Sequence, residues 1–269
     1  MFGDIFLKLS RYPTFRRIVW KPIYNLLARV ITHPEWRFMN YGYAPFPSEQ
    51  PLKLEQGDEK ERYPAQLYHY LAIRTPIEGK DVLEVGSGRG GGAYHVARYL
   101  KPHKMVGLDL AENAVKFASK NLVTPGLSYV QGNAEALPFP DQSFDVVLNV
   151  ESSHAYGSFP TFVSEVRRVL RPGGVFLITD MRIPEDLEVI KKYLAESGMT
   201  ITEETDITEN VVEAMEADDS SKTARLATLV PGWLKPAFRE FAGMTNSAIH
   251  LHLKRRERLY YIWKLEKTT

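Results

Sequence analysis

A chain of 269 residues with 34 basic and 33 acidic side chains carries a net charge of +1, which provides no global field for nucleic acid, and its length suits one elaborated domain. It holds no cysteine, which excludes disulfides, zinc-thiolate sites, iron–sulfur clusters and a thiol nucleophile, and a reducing, cytoplasmic setting is expected. Hydrophobic residues make up 44% of the chain, yet no 18 uncharged apolar residues run together, so no membrane-spanning helix is expected.

Residues 1–31 carry six basic side chains against the single acid Asp4. Between the charges, Phe15, Ile18, Val19, Ile23, Leu26, Leu27, Val30 and Ile31 recur at steps of three and four, the pattern of an amphipathic helix with a break at Pro22. Such a helix packs on its own protein or on a sister subunit, and its basic flanks also suit a peripheral contact with a membrane surface. Residues 45–64 are rich in Pro, Gly and charge, as a linker or flap would be. The expected organisation is an N-terminal helical cap and flap over 1–64 and a core over 65–269.

The core opens with a helix at 65–73 and a short apolar strand at 81–85 that runs into glycines. Alternation follows: a strand at 106–110, a helix at 111–122, strands at 128–131 and 144–150, a helix at 162–170 stopped by Pro172-Gly173-Gly174, and a strand at 175–180. Strands joined through helices of this length imply right-handed crossovers and a parallel sheet covered on both faces, the doubly wound α/β class. A helix at 187–197 and strands at 199–204 and 258–265 complete a mostly parallel sheet of seven strands. The insertion at about 206–256 reads as a helical lid. Residues 203–219 hold eight acids and no base, expected to be a solvated helix face.

The sharpest chemical signal is Glu84-Val85-Gly86-Ser87-Gly88-Arg89-Gly90-Gly91-Gly92, directly after a strand and before a helix. Gly86, Gly88 and Gly91 satisfy the spacing of dinucleotide-binding loops, where glycines let the backbone approach a ligand closely. Asp109 lies 23 residues past Gly86, where a carboxylate reaches the ribose hydroxyls of an adenosine. Those features suit a nicotinamide cofactor as well as a sulfonium one.

The remaining segments separate the two. Gly132-Asn133-Ala134-Glu135 before Leu137-Pro138-Phe139, the strand ending in Asn149, and Arg168-Val169-Leu170-Arg171-Pro172-Gly173-Gly174 together resemble the class I S-adenosylmethionine-dependent methyltransferases. The segments 38–43, 66–69, 149–154 and 239–243 are similar to a branch of lipid and polyketide O-methyltransferases. That branch includes the mycobacterial phthiotriol and phenolphthiotriol dimycocerosate enzymes and cyanobacterial enzymes acting on polyketide chains of peptide toxins such as microcystin. The resemblance covers nearly the whole chain after residue 35. It implies S-adenosyl-L-methionine as cofactor, with Gly86, Ser87 and Gly88 on its methionyl part, after the acid Glu84. It further implies Asp109 and Leu110 at ribose and adenine, Asn133 and Ala134 at the adenine edge, and Asn149 beneath the sulfonium. Asn133 departs from the Asp common at its position, which puts an amide where a carboxylate would accept from the adenine amino group.

A hydroxyl acceptor must lose its proton, and His154, in the loop after the fourth strand, is the candidate general base. Glu151 is expected to orient His154 or to bond backbone. Tyr41 and Tyr43 flank Gly42 in a segment placed to fold over the cofactor, and Tyr41 is a candidate cation–π contact. The other histidines form no metal-ligating pattern, so no metal is expected, and His250 and His252 are expected at the surface. The expected reaction is O-methylation of a hydroxyl on a hydrophobic, lipid-like or polyketide/peptide natural product. C-methylation of a polyprenyl or sterol-like alkene, carboxyl methylation of a fatty acid, a cofactor-binding regulatory protein and a nicotinamide oxidoreductase are the rival readings.

Overall fold

The computed structural model describes residues 36–50, 52–230, 232 and 235–268, and the basic helix expected within residues 1–31 lies outside them. Among the described residues, seven strands form one sheet: β1 (Asp81–Val85), β2 (Lys104–Asp109), β3 (Leu127–Gln131), β4 (Phe144–Val150), β5 (Leu170–Arg182), β6 (Met199–Asp206) and β7 (Leu259–Lys267). Their spatial order is β3-β2-β1-β4-β5-β7-β6, parallel from β3 to β5, with β7 antiparallel to both of its neighbours. The strand order reverses between β1 and β4, the place where open parallel sheets bind ligands beyond their carboxyl ends.

The apolar runs of the central strands alternate between two cores, because successive strand side chains point to opposite faces. Val82, Val146 and Leu148 face one core; Leu83, Val147 and Phe176 face the other. Helices α1 (Arg62–Ala72) and α2 (Gly91–Leu100) cover the first face with Leu67, Leu71, Ala93 and Val96. Helix α3 (Glu112–Asn121) packs beside β2 and β3, while α4 (Phe159–Val169) and α5 (Pro184–Ala195) cover the second face with Phe162, Val166, Leu187 and Leu194. The Ser158 hydroxyl accepts from Thr161 N at the start of α4, and Pro184 with Glu185 and Asp186 opens α5, both ordinary helix starts.

The stretch expected to stop α4 behaves differently. The helix ends at Val169 and β5 begins at once, Leu170 pairing with Phe144, with a register irregularity before Val146. Pro172-Gly173-Gly174 lies inside β5, where such an irregularity accommodates a residue that cannot donate to the ladder.

The insertion between β6 and β7 contains α6 (Thr208–Ala217), α7 (Asp219–Leu229), α8 (Lys235–Phe241) and α9 (Ala248–Lys254). Val211 and Met215 of α6 and Ile249 and Leu253 of α9 join the first core. Trp36 meets Phe238 edge-on at 5.6 Å and shares a small cluster with Leu226, Val230 and Met244, so residues before the core pack directly on the insertion. Two expectations are corrected here. His250 is 1% exposed, not at the surface: its Nε2 lies 3.0 Å from Glu216 Oε1 and its Nδ1 accepts from Asn246 N. The acidic stretch is not simply a solvated face: Glu203 pairs with Arg74 at 3.0 Å, Glu204 with Lys191 at 2.7 Å, and Asp218 is buried beside Arg225.

Candidate active site

The glycine loop fills the turn between β1 and α2 at the switch point. Gly86 N–H and Ser87 N–H both donate to Leu108 O at the end of β2, at 2.8 and 2.9 Å. Gly86 has φ +79°, and a Cβ there would stand 2.3 Å from Ser152 Oγ, so only glycine fits the turn. Asp109 secures the next step: its Oδ2 accepts from Gly88 N at 2.7 Å and its Oδ1 from Ala111 N at 2.8 Å. Burial raises the Asp109 carboxyl, and these backbone N–H groups work against the rise.

Glu84 is buried, and its Oε1 accepts from Tyr68 OH at 2.6 Å. Burial pushes this carboxyl up to about 7, against the lowering effect of the Tyr68 bond. Asn149, at the end of β4, donates from Nδ2 to Val85 O at 2.8 Å and reaches Ser152 Oγ and Tyr156 OH, bridging the ends of β1 and β4. Among the described residues, three buried atoms here have no hydrogen-bond partner: Glu84 Oε2, Ser87 Oγ and Asn149 Oδ1. Buried polar atoms are rarely left unmatched, and three on adjoining strand ends mark a place built to receive a polar ligand.

The rim is set by β2 and β3. Leu110 is 46% exposed immediately after Asp109. Asn133 is exposed just past β3, with Oδ1 accepting from Glu135 N at 3.0 Å, while Ala134 is buried. Residues 37–39 cross the loop from above: Gly91 N–H donates to Arg37 O, and a Cβ on Gly88 would lie 3.5 Å from Met39 Sδ. Tyr41 sits further along, its ring near Gly243 of the insertion and its N–H donating to Glu151 Oε1 at 2.8 Å.

His154 stands in a short 3₁₀ turn, Ser153–Ala155, after β4. Its Nδ1 is 2.8 Å from Asp180 Oδ1, and its backbone N–H donates to Asp180 Oδ2 at 2.9 Å. Asp180, near the end of β5, is fully buried and also takes Ser153 Oγ at 2.6 Å, Met181 N at 2.8 Å and the Arg182 guanidinium at 2.9 Å. Burial alone would raise Asp180; the Arg182 charge and the His154 and Ser153 contacts overcome it and hold the carboxyl far below its ordinary range.

Glu151 does not orient His154. Its Oε1 instead accepts from Tyr41 N and from Tyr260 OH at 2.5 Å, so it ties the segment before the core to β4 and β7. Burial pushes Glu151 up to about 8, and its backbone adopts φ +46°, unusual for a side chain with a Cβ. Sequence reasoning missed Asp180, Met39 and Tyr260. Asp180 had one available signal, an acid at the carboxyl end of an apolar strand, matching the position of Asp109.

Comparison with known proteins places the chain in a family. A methyltransferase-domain family model matches residues 83–178. The chain is 40% identical over 221 residues to a fatty-acid O-methyltransferase of Mycolicibacterium smegmatis, covering 82% of this chain and 80% of the relative. It is 38% identical over 255 residues to a phthiotriol/phenolphthiotriol dimycocerosates methyltransferase of Mycobacterium tuberculosis, covering 94% and 93%. Among solved structures, the [4+2]-cyclase SpnF superposes with TM-score 0.71 at 20% identity, covering 93% and 96% of the two chains. The geranyl diphosphate C-methyltransferase of Streptomyces coelicolor superposes with TM-score 0.65 at 14% identity, covering 92% and 96%. A cyclase and a C-methyltransferase on one architecture show that these superpositions speak for the fold and leave the reaction to the site. By sequence, sheet order and glycine loop, the chain belongs to the S-adenosylmethionine-dependent methyltransferase family that contains the mycobacterial lipid O-methyltransferases.

Proposed function

We propose that this enzyme methylates a hydroxyl oxygen of a lipid-like or polyketide acceptor, with His154 as general base. The observation that carries the reading is the His154–Asp180 pair at the carboxyl edge of β4 and β5, on the side of the sheet that bears the glycine loop. The names of the relatives, a fatty-acid and a phthiotriol dimycocerosate methyltransferase, support an acceptor of lipid character.

The orphaned atoms fit the cofactor. Glu84 Oε2, Ser87 Oγ and Asn149 Oδ1 would hold its amino-acid end and the region of its sulfur. Asp109 would take the ribose hydroxyls, Leu110 would cover the adenine, and Asn133 with Ala134 would meet its polar edge. Tyr41 contributes through the tie of its N–H to Glu151, which fixes the overlying segment. When bound, S-adenosylmethionine supplies a methyl group on a positively charged sulfur, a reaction that calls for positioning and exclusion of water. The protein must then deal with the proton of the acceptor hydroxyl. Asp180 stays ionised and holds the proton of His154 on Nδ1, so Nε2 is the basic nitrogen.

The test is transfer of isotopically labelled methyl from S-adenosylmethionine to hydroxylated lipids, run beside His154→Ala with S-adenosylhomocysteine affinity as the folding control. The expected result is an ether product, with kcat in the variant lower by about 10²-fold or more. Exclusive transfer to carbon, or an undiminished rate in His154→Ala with a fatty-acid carboxylate that needs no base, overturns the reading.

A further inference from the structure

A second polar site lies between the segment before the core and the insertion. A cavity of about 30 Å³ is lined by Phe38, Met39, Asn40 and Tyr41 on one side and by Lys222 and Arg225 of α7 on the other. Lys222 is 6% exposed, and among the described residues its Nζ makes no hydrogen bond. The carboxylate paired with it, Asp218, stands 3.9 Å away and is engaged by Arg225 at 3.1 Å. Arg225 Nη1 stands 4.0 Å from Glu61, which is itself bonded to Arg37, and Arg225 Nε, like Lys222 Nζ, has no hydrogen-bond partner among the described residues. Lys222 is thus a buried ammonium with three donors and, among the described residues, no acceptor within hydrogen-bond reach. An ammonium so placed is costly unless an anion joins it.

We propose that this cavity is a subsite for a carboxylate carried by the acceptor, with Lys222 as its charge partner. The inference rests on the reading of the chain as a lipid O-methyltransferase and narrows it: the acceptor bears a carboxylate in addition to the oxygen that His154 serves. The location is apt, because Tyr41 lines the cavity through its side of the segment and is tied by its N–H to Glu151, three residues before His154. Glu151, on that side, is pushed up to about 8 by burial, against the opposing pull of the Tyr41 N–H and Tyr260 O–H donors and of the Lys222 charge, so at neutral pH it is a weak counter-charge for Lys222. Burial lowers the Lys222 ammonium from its ordinary range, outweighing the opposing effect of Asp218 at 3.9 Å. The volume admits a carboxylate head or its equivalent in water, with the chain of the acceptor extending outward past Phe38 and Met39. Asn40, whose Nδ2 donates to Pro64 O at 3.3 Å and whose Oδ1 has no partner, adds an acceptor for a water or hydroxyl beside the anion.

The experiment is calorimetric titration of the S-adenosylhomocysteine-loaded enzyme with decanoate, 1-decanol and acetate, in wild type and in Lys222→Met. Decanoate should bind the wild type at least about tenfold more tightly than decanol, from the worth of a charged hydrogen bond, and Lys222→Met should abolish that preference while leaving decanol affinity unchanged. No preference in the wild type, or a preference that survives in Lys222→Met, overturns the proposal. Acetate binding as tightly as decanoate overturns the assignment to a lipid acceptor and makes the cavity a free-anion site. The wild-type comparison stands even should the variant fail to fold. Failure here is distinct from failure of the O-methyltransferase reading, which is judged on S-adenosylhomocysteine affinity and on transfer to neutral hydroxylated lipids.

Discussion

His154 and the carboxylate of Asp180 are joined twice, through the imidazole Nδ1 to Oδ1 at 2.8 Å and through the backbone N–H to Oδ2 at 2.9 Å. One buried acid therefore fixes both the ring and the turn that carries it. Asp180→Asn keeps the size of the side chain but removes the charge that selects the Nδ1–H form of the ring. We expect kcat to fall by about 10²-fold or more, with S-adenosylhomocysteine affinity within about twofold of wild type. A rate that stays unchanged in steady-state assays would make the pair a structural clamp.

Two buried glutamates give stability a pH dependence of defined sign. Burial raises Glu84 to about 7 and Glu151 to about 8 in the folded chain, whereas an unfolded glutamate titrates near about 4.3. Between those limits the folded state binds more protons, so stability falls as pH rises, by up to about 1.4 kcal/mol per pH unit for each group. The interval from about 7 to about 8 belongs chiefly to Glu151. Urea unfolding of Glu151→Gln should therefore show a flatter profile than wild type across that interval, and an unaltered profile would mean the carboxyl is ionised when folded.

Gly92 lies in the first turn of α2 under the ring of Tyr68, and a Cβ there would come 2.0 Å from Tyr68 Cε1. Tyr68 cannot retreat without loosening its bond to Glu84. Gly92→Ala should cost about 1 to 3 kcal/mol in urea unfolding, the range for overpacked cores. Gly57→Ala is the control: among the described residues nothing lies within 4 Å of its Cβ position, and no loss is expected.

Asp109 supports the glycine loop through Gly88 N–H and the start of α3 through Ala111 N–H. Asp109→Ala should weaken S-adenosylhomocysteine binding by about tenfold or more, measured by calorimetry, since charge-assisted hydrogen bonds to the loop are lost together with the proposed contact to the ribose. Unchanged affinity would remove Asp109 from the cofactor site.

What could be read in the sequence was what is local. The apolar runs at 81–85 and 144–150 declare central strands because both faces are buried, and the glycines after Val85 declare a turn that admits no side chain. Asp109 was legible because a fixed strand–helix–strand unit sets its distance from Gly86. Pairings set by tertiary register were not legible. Asp180 meets His154 across 26 residues only because β4 and β5 lie side by side. His250 and Lys222 look in sequence like ordinary polar positions on helix faces, and their burial depends on how the insertion folds back onto the body. The early start of β5 at Leu170 was hidden by a proline and two glycines, which read locally as a break.

The position of β7 sets an order on synthesis. It follows β5 and β6 in the chain but lies between them in the sheet, and it pairs Tyr261 with Asp180. A nascent chain that has not yet released residues 259–267 therefore carries two unpaired strand edges, one of them bearing the acid that holds His154. Open edges of this kind invite association with other chains, and pairings across such sequence distances form slowly. Strand β7 thus backs the acid that holds the His154 turn and joins β5 to β6 in the same event.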